Sequence, residues 1–410
     1  MSTWNTKRLG EIATIISGGT PSTDVNEYWN GNIGWVTPAD LSNYKFRYIA
    51  RGERNITEEG LSHSSACLLP KNTVLLSSRA PIGYVAIAEN EITTNQGFKN
   101  LICRENKANF RFIYYWLSHN TESLKNFATG ATFPELSSTR IKKIKALLPD
   151  VPTQKRIADI LSAYDDLIEN NNKRIALLEK AAQELYKEWF VRFRFPGHET
   201  AEFENGLPKE WDYIRFGKAI EIIDSDRGTN YPKQEEFYGD GHCLFLNAGN
   251  VKKTGFDFSA VSFISEEKDR LLRKGKLKRG DVVLTTRGTV GNSAFYNDFV
   301  PFEHIRINSG MVILRDLGCV SPEYVYCLLN SPYMLRSMEL YASGSAQPQL
   351  PIKDMRRIKI INPDDDTMRI FTEKVQKHYN LIALLVSNNQ NLAKQRDLLL
   401  PRLMSGKLEV

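Results

Sequence analysis

The sequence predicts an α+β protein made of two similar halves, each a mixed α/β domain followed by a long helix. Three observations carry this prediction: an internal repeat with an offset of about 210 residues, alternating strand-like and turn-like segments early in each copy, and a 3.5-residue apolar periodicity at its end. Solenoid repeats are about 20–50 residues long, so a repeat of this length is a domain rather than a structural module of a solenoid.

The repeat consists of six blocks that occur in the same order in both halves. They are Trp4–Gly10 with Trp211–Gly217, Val74–Gly83 with Val282–Gly291, Asn95–Gly97 with Asn308–Gly310, Ile113–Leu117 with Val325–Leu329, Thr129–Leu136 with Ser343–Leu350, and Arg140–Ile144 with Asp354–Ile358. The offset drifts by only a few residues, which indicates short insertions in surface loops.

Each copy begins with the pattern of a globular domain. Short runs rich in Val and Ile alternate with Gly, Asn, Pro and Ser over 72–103 and 280–315, which is typical of strands joined by turns. Short helices are expected within 109–127 and 322–341. We place these domains, each with a strongly bent sheet, at residues 1–150 and 196–363.

Each copy ends in a predicted long helix, at residues 151–195 and 364–410. Apolar residues follow a heptad seam in both. The first seam is Ile157, Leu161, Tyr164, Ile168, Asn171, Ile175, Leu178, Ala182, Leu185 and Trp189; the second is Phe371, Val375, His378, Ile382, Leu385, Asn389, Leu392, Arg396, Leu399 and Leu403. Asp364, Asp365 and Asp366 suit a helix start, and Pro401 is expected to end or kink the second helix near Leu400.

Two helices with apolar seams are expected to pair with each other. If the repeats are related by a pseudo-two-fold axis, the helices run antiparallel as a coiled coil, and Asn171 and Asn389 lie close together and fix its register. The alternative is that each Asn meets only water. A helix over 153–191 is roughly 57 Å long, and half-sites on one face of DNA are about 34–36 Å apart or a multiple of that distance.

Composition excludes several classes of protein. Hydrophobic residues make up 41% of the chain and charged residues 25%, as in globular proteins. There is no apolar run of membrane-span length and no signal-like start, so we expect a cytoplasmic protein without membrane contact. Five cysteines without a CxxC pair argue against a disulfide framework or a zinc site. The net charge of +6 permits a nucleic-acid partner without requiring one.

The ends of the helices resemble a known family. Leu185–Pro196 looks like the central-helix exit of the specificity subunit of type I restriction-modification enzymes, Leu398–Leu408 looks like the C-terminal signature of that family, and Pro152–Ala158 looks like its helix start. The resemblance covers the full length, as domain, helix, domain, helix. The second helix start, Asp366–Ile370, departs from the pattern.

This resemblance implies a function in DNA recognition. Each domain would be a target recognition domain that reads one half of a bipartite double-stranded DNA sequence. The helices would set the spacer and dock two methyltransferase subunits, and restriction/translocase subunits would complete the assembly. The chain itself would be non-catalytic and would bind no cofactor, because S-adenosylmethionine, ATP and Mg²⁺ act in the partner subunits.

The residues also argue against chemistry in this chain. An amino-methyltransferase needs a [DNS]-P-P-[FYW] motif, and Asn362-Pro363-Asp364 is only a partial match. Phe237–Gly241 fits F-x-G-x-G but follows no apolar strand, so we interpret it as a surface turn. No phosphate-binding GxxxxGK[ST] loop occurs. His242, Cys243 and His304 lack further ligands at metal-site spacing, so no metal site is predicted.

Candidate DNA-binding residues are those whose side chains match base edges or phosphates and lie in the repeated turns. They are Thr20, Ser22, Thr37, Asp40, Ser78, Arg79, Asn95, Gln96 and Lys99 in the first domain, and Asn247, Asn250, Thr286, Arg287, His304, Arg306 and Asn308 in the second. Arg79 and Arg287 are the strongest candidates, each after a Val/Leu strand and before a Gly turn. The alternative is that each Arg pairs with a carboxylate inside its domain.

The specificity positions, the aromatic clusters and the class of function each leave an alternative open. Positions that are equivalent but differ in type, such as Gln96 and Ser309, are expected to carry specificity, because two half-sites usually differ. The aromatic clusters Tyr114–Trp116 and Tyr324 with Tyr326 have the spacing of core helices, although they could stack on bases. The competing functions are a self-sufficient DNA methyltransferase or nuclease and a coiled-coil scaffold that binds no DNA.

Overall fold

The computed structural model describes residues 4–42, 44, 46–79, 81–129, 134–344 and 348–410. The chain divides into two compact units. Unit 1 contains the described residues up to Asn171 together with Asn389–Val410, and unit 2 contains those of Asn172–Asn388. In the part of the chain that is described, every helix is too short or too polar to cross a membrane.

Unit 1 is a mixed α/β domain joined to helix. Its elements, with the long helix that continues into unit 2, are β1 (Asn5–Arg8), α1 (Leu9–Ile12), β2 (Ala13–Ser17), β3 (Trp29–Val36), α2 (Pro38–Leu41), β4 (Tyr48–Ile49), β5 (Asn55–Ile56), α3 (Glu58–Ser62), β6 (Val74–Ser78), β7 (Ile82–Ala88), β8 (Thr93–Thr94), β9 (Phe98–Cys103), α4 (Phe110–His119), α5 (Thr121–Lys125), α6 (Ser138–Lys143), β10 (Lys145–Leu148) and α7 (Val151–Phe190).

Three sheets organise unit 1. The largest has the order β2-β9-β6-β7-β4, in which only β4 and β7 pair in parallel. A smaller sheet has the order β5-β3-β8, with β3 and β8 parallel, and β1 pairs with β10. Helix α4 covers one face of the large sheet, where Phe112, Ile113 and Leu117 are fully buried.

Unit 2 repeats this plan. Its elements, with the helix that returns to unit 1, are β11 (Phe203–Glu204), β12 (Leu207–Pro208), β13 (Asp212–Arg215), α8 (Phe216–Ala219), β14 (Ile220–Asp224), β15 (Cys243–Leu246), β16 (Val251–Lys252), β17 (Gly255–Phe256), β18 (Phe263–Ile264), α9 (Glu266–Leu271), β19 (Val282–Thr285), β20 (Ser293–Phe295), β21 (Ile305–Ile307), β22 (Met311–Asp316), α10 (Pro322–Leu329), α11 (Pro332–Tyr341), α12 (Ile352–Met355), β23 (Lys359–Asn362) and α13 (Asp365–Met404).

The sheets of the two units correspond strand by strand. The order β14-β22-β19-β20 repeats β2-β9-β6-β7, the order β18-β15-β21 repeats β5-β3-β8 with the same parallel pair, and β13-β23 repeats β1-β10. Unit 1 adds β4 to its large sheet, and unit 2 adds the pairs β16-β17 and β11-β12. The α+β prediction with two tandem mixed domains and long helices is therefore confirmed.

The two long helices begin in the same way. Asp150 accepts a hydrogen bond from the backbone N–H of Thr153 at 2.8 Å, and Asp364 accepts one from that of Thr367 at 2.8 Å. These carboxylates satisfy N–H groups that the first helical turn leaves without partners. The departure of the second helix start from the family pattern thus leaves its capping intact.

The heptad seams lie on the covered sides of the helices: ten of their twenty positions are buried and the other ten are half-buried. In unit 1, Asn171 contacts Asn389 and Asp165 contacts Arg396, so the two segments run antiparallel there. One seam position is wrong. In unit 2 Tyr379 is 4% exposed and His378 is only half-buried, because this stretch of α13 packs against α10, where the Tyr379 hydroxyl meets Cys327.

Of the two alternatives for Pro401, the one in which it ends α13 near Leu400 is wrong, because the helix continues to Met404, and a kink there stays a prediction. A proline costs about 3 kcal/mol in a helix interior, but one in the last turn removes a single backbone hydrogen bond. Leu403 and Met404 are buried in the core of unit 1. At roughly 1.5–3 kcal/mol for each fully buried side chain, their burial outweighs the cost of the proline.

Candidate nucleic-acid interface

A tight turn between β8 and β9 lies at the centre of the predicted site in unit 1. Asn95 Oδ1 accepts a hydrogen bond from the N–H of Gly97 at 2.9 Å, which closes the turn through a side chain. The carbonyl of Gly97 accepts bonds from the N–H of Ser78 at 2.7 Å and from its Oγ at 3.0 Å. These bonds fix the exposed Gln96, at the tip of the turn, beside the end of β6.

Unit 2 builds the same turn with the same bonds. Asn308 Oδ1 accepts a hydrogen bond from the N–H of Gly310 at 2.9 Å, and the Gly310 carbonyl accepts from the N–H of Thr286 at 2.8 Å and from its Oγ1 at 3.3 Å. Ser309 takes the place of Gln96. The repeat is therefore preserved at the level of individual hydrogen bonds, while the residue at the tip differs.

Glycine is required in this turn because other atoms approach it closely. A Cβ atom at Gly97 would lie 2.9 Å from Asn95 Oδ1 and 3.1 Å from Pro38 Cγ. At Gly310 it would lie 3.3 Å from Asn308 Oδ1. The Asn-x-Gly sequence thus fixes the backbone and leaves only the middle residue free to vary.

The loop that carries the predicted arginine is shaped by a hydroxyl in each unit. Ser77 Oγ donates to the carbonyl of Pro81 at 2.7 Å and accepts from the N–H of Tyr84 at 2.8 Å. In unit 2 Thr285 donates to the carbonyl of Thr289 and accepts from the N–H of Asn292 at 3.0 Å. Each strand therefore leads into a constrained loop that begins with Arg79 or Arg287.

The two arginines differ in their partners. Arg79 is partly exposed, and its Nη1 lies 4.0 Å from Glu135 Oε2, so the alternative of pairing with a carboxylate applies to it. Glu135 also accepts a hydrogen bond from the buried Lys99 at 3.1 Å. Within the described residues no carboxylate pairs with Arg287, whose buried Nε has no hydrogen-bond partner. Arg287 thus lacks, among those residues, the carboxylate contact that Arg79 makes.

One basic residue beside the turn escaped the sequence analysis. Arg227 Nη2 lies 3.5 Å from the carbonyl of Ser309 and 3.0 Å from Asp224 Oδ1. In unit 1 the residue at the same repeat position, Thr20, donates a hydrogen bond to Gln96 Oε1. If the offset of the first repeat block is applied to the residues after the strand, Thr20 aligns with Arg227, so the sequence could have shown that the two positions are equivalent. The repeat position next to the turn therefore holds the neutral Thr20 in unit 1 and the cationic Arg227 in unit 2.

Two predicted pairs act as caps in the structure. The N–H of Thr37 donates to Asp40 Oδ2 at 2.7 Å, and the other oxygen of Asp40 accepts from the N–H of Glu53 at 2.7 Å. The N–H of Asn247 donates to Asn250 Oδ1 at 3.0 Å. Asn250 is buried and donates to two backbone carbonyls. These contacts account for Asp40 and Asn250 within the fold, while Asn247 remains exposed.

Burial separates the remaining predicted residues. Ser78, Lys99, Thr286 and Arg306 are buried, whereas Ser22 is exposed. Arg306 contacts the Asp269 carboxylate and donates to three backbone carbonyls, so its guanidinium is engaged within unit 2. A DNA contact by any of these four buried side chains requires the site to rearrange; the DNA role of every predicted residue stays a prediction.

The histidines near Arg306 form a pair of tilted rings in contact. The rings of His242 and His304 lie 4.3 Å apart, and His242 Nε2 is 3.5 Å from Asp269 Oδ2. Burial raises the pKa of Cys243 to about 12, so its thiol is neutral at pH 7 and a poor metal ligand. No group of three metal-ligating side chains occurs within the described residues.

The F-x-G-x-G segment and the aromatic clusters make contacts within the fold. In the F-x-G-x-G segment, Tyr238 forms a backbone bridge with Phe263, and Gly239 has open space where a side chain would be. The aromatic clusters of α4 and α10 pack into the cores, where Tyr115 and Tyr324 are almost fully buried. The prediction that these aromatic residues belong to the core is confirmed.

The helix segments of unit 1 meet at the predicted polar pair. Asn171 Nδ2 donates a hydrogen bond to Asn389 Oδ1 at 2.9 Å, and Asn171 is 5% exposed. The residues at the repeat-equivalent positions, Leu385 and Ile175, are apolar and buried in unit 2. The two amides therefore lie together, as expected, and their role in fixing the register stays a prediction.

Comparison with known proteins gives a consistent result. A model of the type I restriction modification DNA specificity domain matches the chain twice, over residues 1–180 and 208–394. The chain is 36% identical over 417 residues to the type I restriction enzyme MjaIX specificity subunit of Methanocaldococcus jannaschii, covering 99% of this chain and 94% of that protein. It is 23% identical over 483 residues to the HindI specificity subunit of Haemophilus influenzae, covering 100% of both.

A solved structure shares the fold. The S subunit of a type I restriction-modification system from M. genitalium aligns with a TM-score of 0.62 at 16% identity, covering 98% of this chain and 96% of that one. The twofold match of the domain model, over most of the chain, agrees with the repeat seen in the sequence and in the two units. The chain belongs to the type I restriction-modification DNA specificity family.

Proposed function

We propose that each unit reads one half of a bipartite double-stranded DNA target through its Asn-x-Gly turn and the arginine beside it. Membership of the family makes the chain the non-catalytic DNA-recognition subunit of a type I restriction-modification system. What we add is the assignment of the reading surface: Arg79, Gln96 and Thr20 in unit 1, and Arg287, Ser309 and Arg227 in unit 2.

One observation carries this assignment. The backbone of the turn is held by the same three hydrogen bonds in both units, while the residues around it differ between them. Two domains that recognise different half-sites need the same backbone geometry but different side chains at the contact surface. Arginine reads guanine through two acceptors, and glutamine reads adenine, so the exposed groups have suitable chemistry.

The partners and cofactors form a second part of the proposal. The long helices would set the distance between half-sites and dock two methyltransferase subunits, to which restriction/translocase subunits are added. S-adenosylmethionine, ATP and Mg²⁺ would be bound by those partners. The exposed Leu167 and Leu177 of α7 and Leu384 and Leu398 of α13 offer apolar contacts for such docking.

The test is selection of DNA from a random duplex library by the chain in complex with its methyltransferase subunits. We expect one bipartite motif with a fixed spacer, bound at least about a thousandfold more tightly than scrambled duplex at the same salt concentration. Equal binding to selected and scrambled duplexes would contradict the proposal. Failure to bind any duplex at low salt would favour a scaffold role instead.

A further inference from the structure

A backbone bridge lies beside the reading surface in both units. In unit 1 the backbones of Thr129 and Glu135 exchange two hydrogen bonds of 3.1 and 2.9 Å. In unit 2 those of Ser343 and Gln349 exchange two bonds of 2.9 Å. The repeat thus places Glu135 and Gln349 at equivalent positions, and neither is among the residues assigned above.

These two positions are anchored to the strand that precedes each arginine. The N–H of Leu136 donates to the carbonyl of Ser78 at 2.9 Å, and that of Leu350 donates to the carbonyl of Thr286 at 2.9 Å. Gln349 also forms a backbone bridge with Arg287. The side chains at 135 and 349 therefore start from a fixed point next to the proposed guanine-reading arginines.

The carboxylate of Glu135 has an unusual setting for a surface acid. It is 40% exposed, and it is held by Lys99, whose own side chain is 8% exposed, and by Arg79 at 4.0 Å. A lone carboxylate beside DNA phosphates would be repelled, but Lys99 neutralises this one from the protein side. Because a carboxylate has about four lone-pair sites, Glu135 keeps acceptor capacity on its exposed side.

The equivalent position in unit 2 lacks this charge pair. Gln349 is exposed, and the residue at the Lys99 position is Val312, which is buried in β22. No buried cation is needed there, because the Gln349 amide is neutral. Its side chain offers one acceptor and two donor hydrogens, so the two units present different hydrogen-bonding patterns from the same place.

We infer that Glu135 and Gln349 are specificity-determining residues, each contacting one base pair of its half-site through the major groove. Glu135 accepts a hydrogen bond from an exocyclic amino group, that of cytosine in preference to adenine, and Gln349 pairs with the edge of adenine. This inference rests on the proposed function and extends it to residues outside the Asn-x-Gly turn.

The test compares the motifs selected from a random duplex library by the wild-type complex and by the Glu135→Gln and Gln349→Ala complexes. Glu135→Gln retains an acceptor for Lys99, so the fold is preserved. We expect the base preference at one position of the first half-site to move from cytosine toward adenine, by about tenfold. Gln349→Ala, at an exposed residue, is expected to reduce the base preference at one position of the second half-site by a similar factor.

The matched control is Glu122→Gln, which removes an exposed carboxylate paired with Lys125 in the same unit and leaves the motif unchanged. Unaltered motifs in both test variants, beside a clear bipartite motif for the wild type, overturn this inference and leave the proposed function intact. A wild-type complex that selects no motif overturns both. A variant that changes both half-sites equally also contradicts the inference, because each residue is assigned to one of them.

Discussion

The contacts at the junction between the domain and the long helices are made by different residue types in the two units. In unit 1 the Tyr115 hydroxyl donates to Asp165 at 2.5 Å, and Asp165 also pairs with Arg396. In unit 2 the three equivalent positions hold Cys327, Tyr379 and Ala182. Cys327 Sγ lies 3.0 Å from the Tyr379 hydroxyl, and burial raises the pKa of Cys327 to about 12, so that junction is neutral at pH 7.

Unit 1 adds a further buried cation to its junction. Arg47 is 4% exposed and contacts Glu169 at 3.0 Å, Asp166, and the carboxylate of Asp165 at 4.0 Å. Burial alone lowers the pKa of Arg47, but the Tyr115 oxygen, Glu169 and Asp166 outweigh it and raise that pKa above its ordinary value. The same fold therefore accepts a charged or a neutral junction, and only the charged one depends on every partner being present.

The largest expected effect comes from breaking the charged junction. Arg47→Ala should lower the free energy of unfolding of unit 1 by about 3–5 kcal/mol, because it leaves the mostly buried Glu169 carboxylate without its cation and takes one of two cations from the buried Asp165. Hydrogen exchange of peptides from β6 and β9 measures this, since exchange reports each unit separately. The matched change in the neutral junction, Tyr379→Phe, should cost unit 2 only about 1 kcal/mol. Equal losses in the two units would contradict the comparison.

The next effect concerns the two arginines at the reading surface. Arg287→Ala should weaken discrimination in the second half-site by about 1–3 kcal/mol, because no carboxylate in the described part of the chain pairs with its guanidinium. Arg79→Ala should have a smaller effect, confined to the first half-site, because Glu135 already engages Arg79. Competition binding with duplexes altered in one half-site measures both. If either variant weakens both half-sites equally, that arginine is structural or contacts phosphate.

A smaller effect is expected from the polar pair of the helices. The double variant Asn171→Leu, Asn389→Ile introduces the residue types found at the equivalent positions in unit 2. It should leave the free energy of unfolding unchanged or raise it, whereas Asn171→Leu alone should lower it by about 1 kcal/mol. Urea unfolding of the two single variants and the double variant gives the coupling energy. Additive effects would show that the hydrogen bond between the two amides contributes nothing.

The smallest effect is a pH dependence specific to unit 2, where the buried ion pair of Asp269 and Arg306 joins α9 to β21 of the small sheet. Burial alone raises the pKa of Asp269, but hydrogen bonds from Lys276 and Arg306 outweigh it and hold that pKa below its ordinary value. A lowered carboxyl pKa stabilises the fold above about pH 4 and ceases to do so as the pH falls further. Urea unfolding between pH 7 and 3 should show this loss in the wild type and less of it in Asp269→Asn. Identical pH profiles would refute the assignment.

The sequence predicted the fold class, with two tandem mixed domains and long helices, because the burial of these elements follows from periodic patterns. The seam from Ile157 to Trp189 and the Val- and Ile-rich strand segments of both units are encoded by residue spacing. It failed at His378, because a seam read along one helix does not show that α10 covers the neighbouring position with Cys327. It did not show that α13 continues past Pro401, because the burial of Leu403 exceeds the local preference.

The candidate site was less predictable than the fold. Residue type and turn position selected Gln96, Arg79 and Arg287, whose DNA role stays a prediction, but the same criteria also selected the buried Asn250 and Arg306. A polar side chain that bonds to backbone carbonyls looks the same in sequence as one that faces solvent. Arg227, Glu135 and Gln349 were missed because their relevance depends on contacts that only the folded chain brings together.

The central claim is that each unit reads its own half of one DNA target through its turn and neighbouring arginine. Parallel motif selection by the wild-type and Arg287→Ala complexes, from one random duplex library, tests it most directly. The account predicts a bipartite wild-type motif and a variant motif that loses information in one half only, with the other half and the spacer unchanged. A variant motif that is identical to the wild-type motif, or one that is degraded equally in both halves, would contradict it.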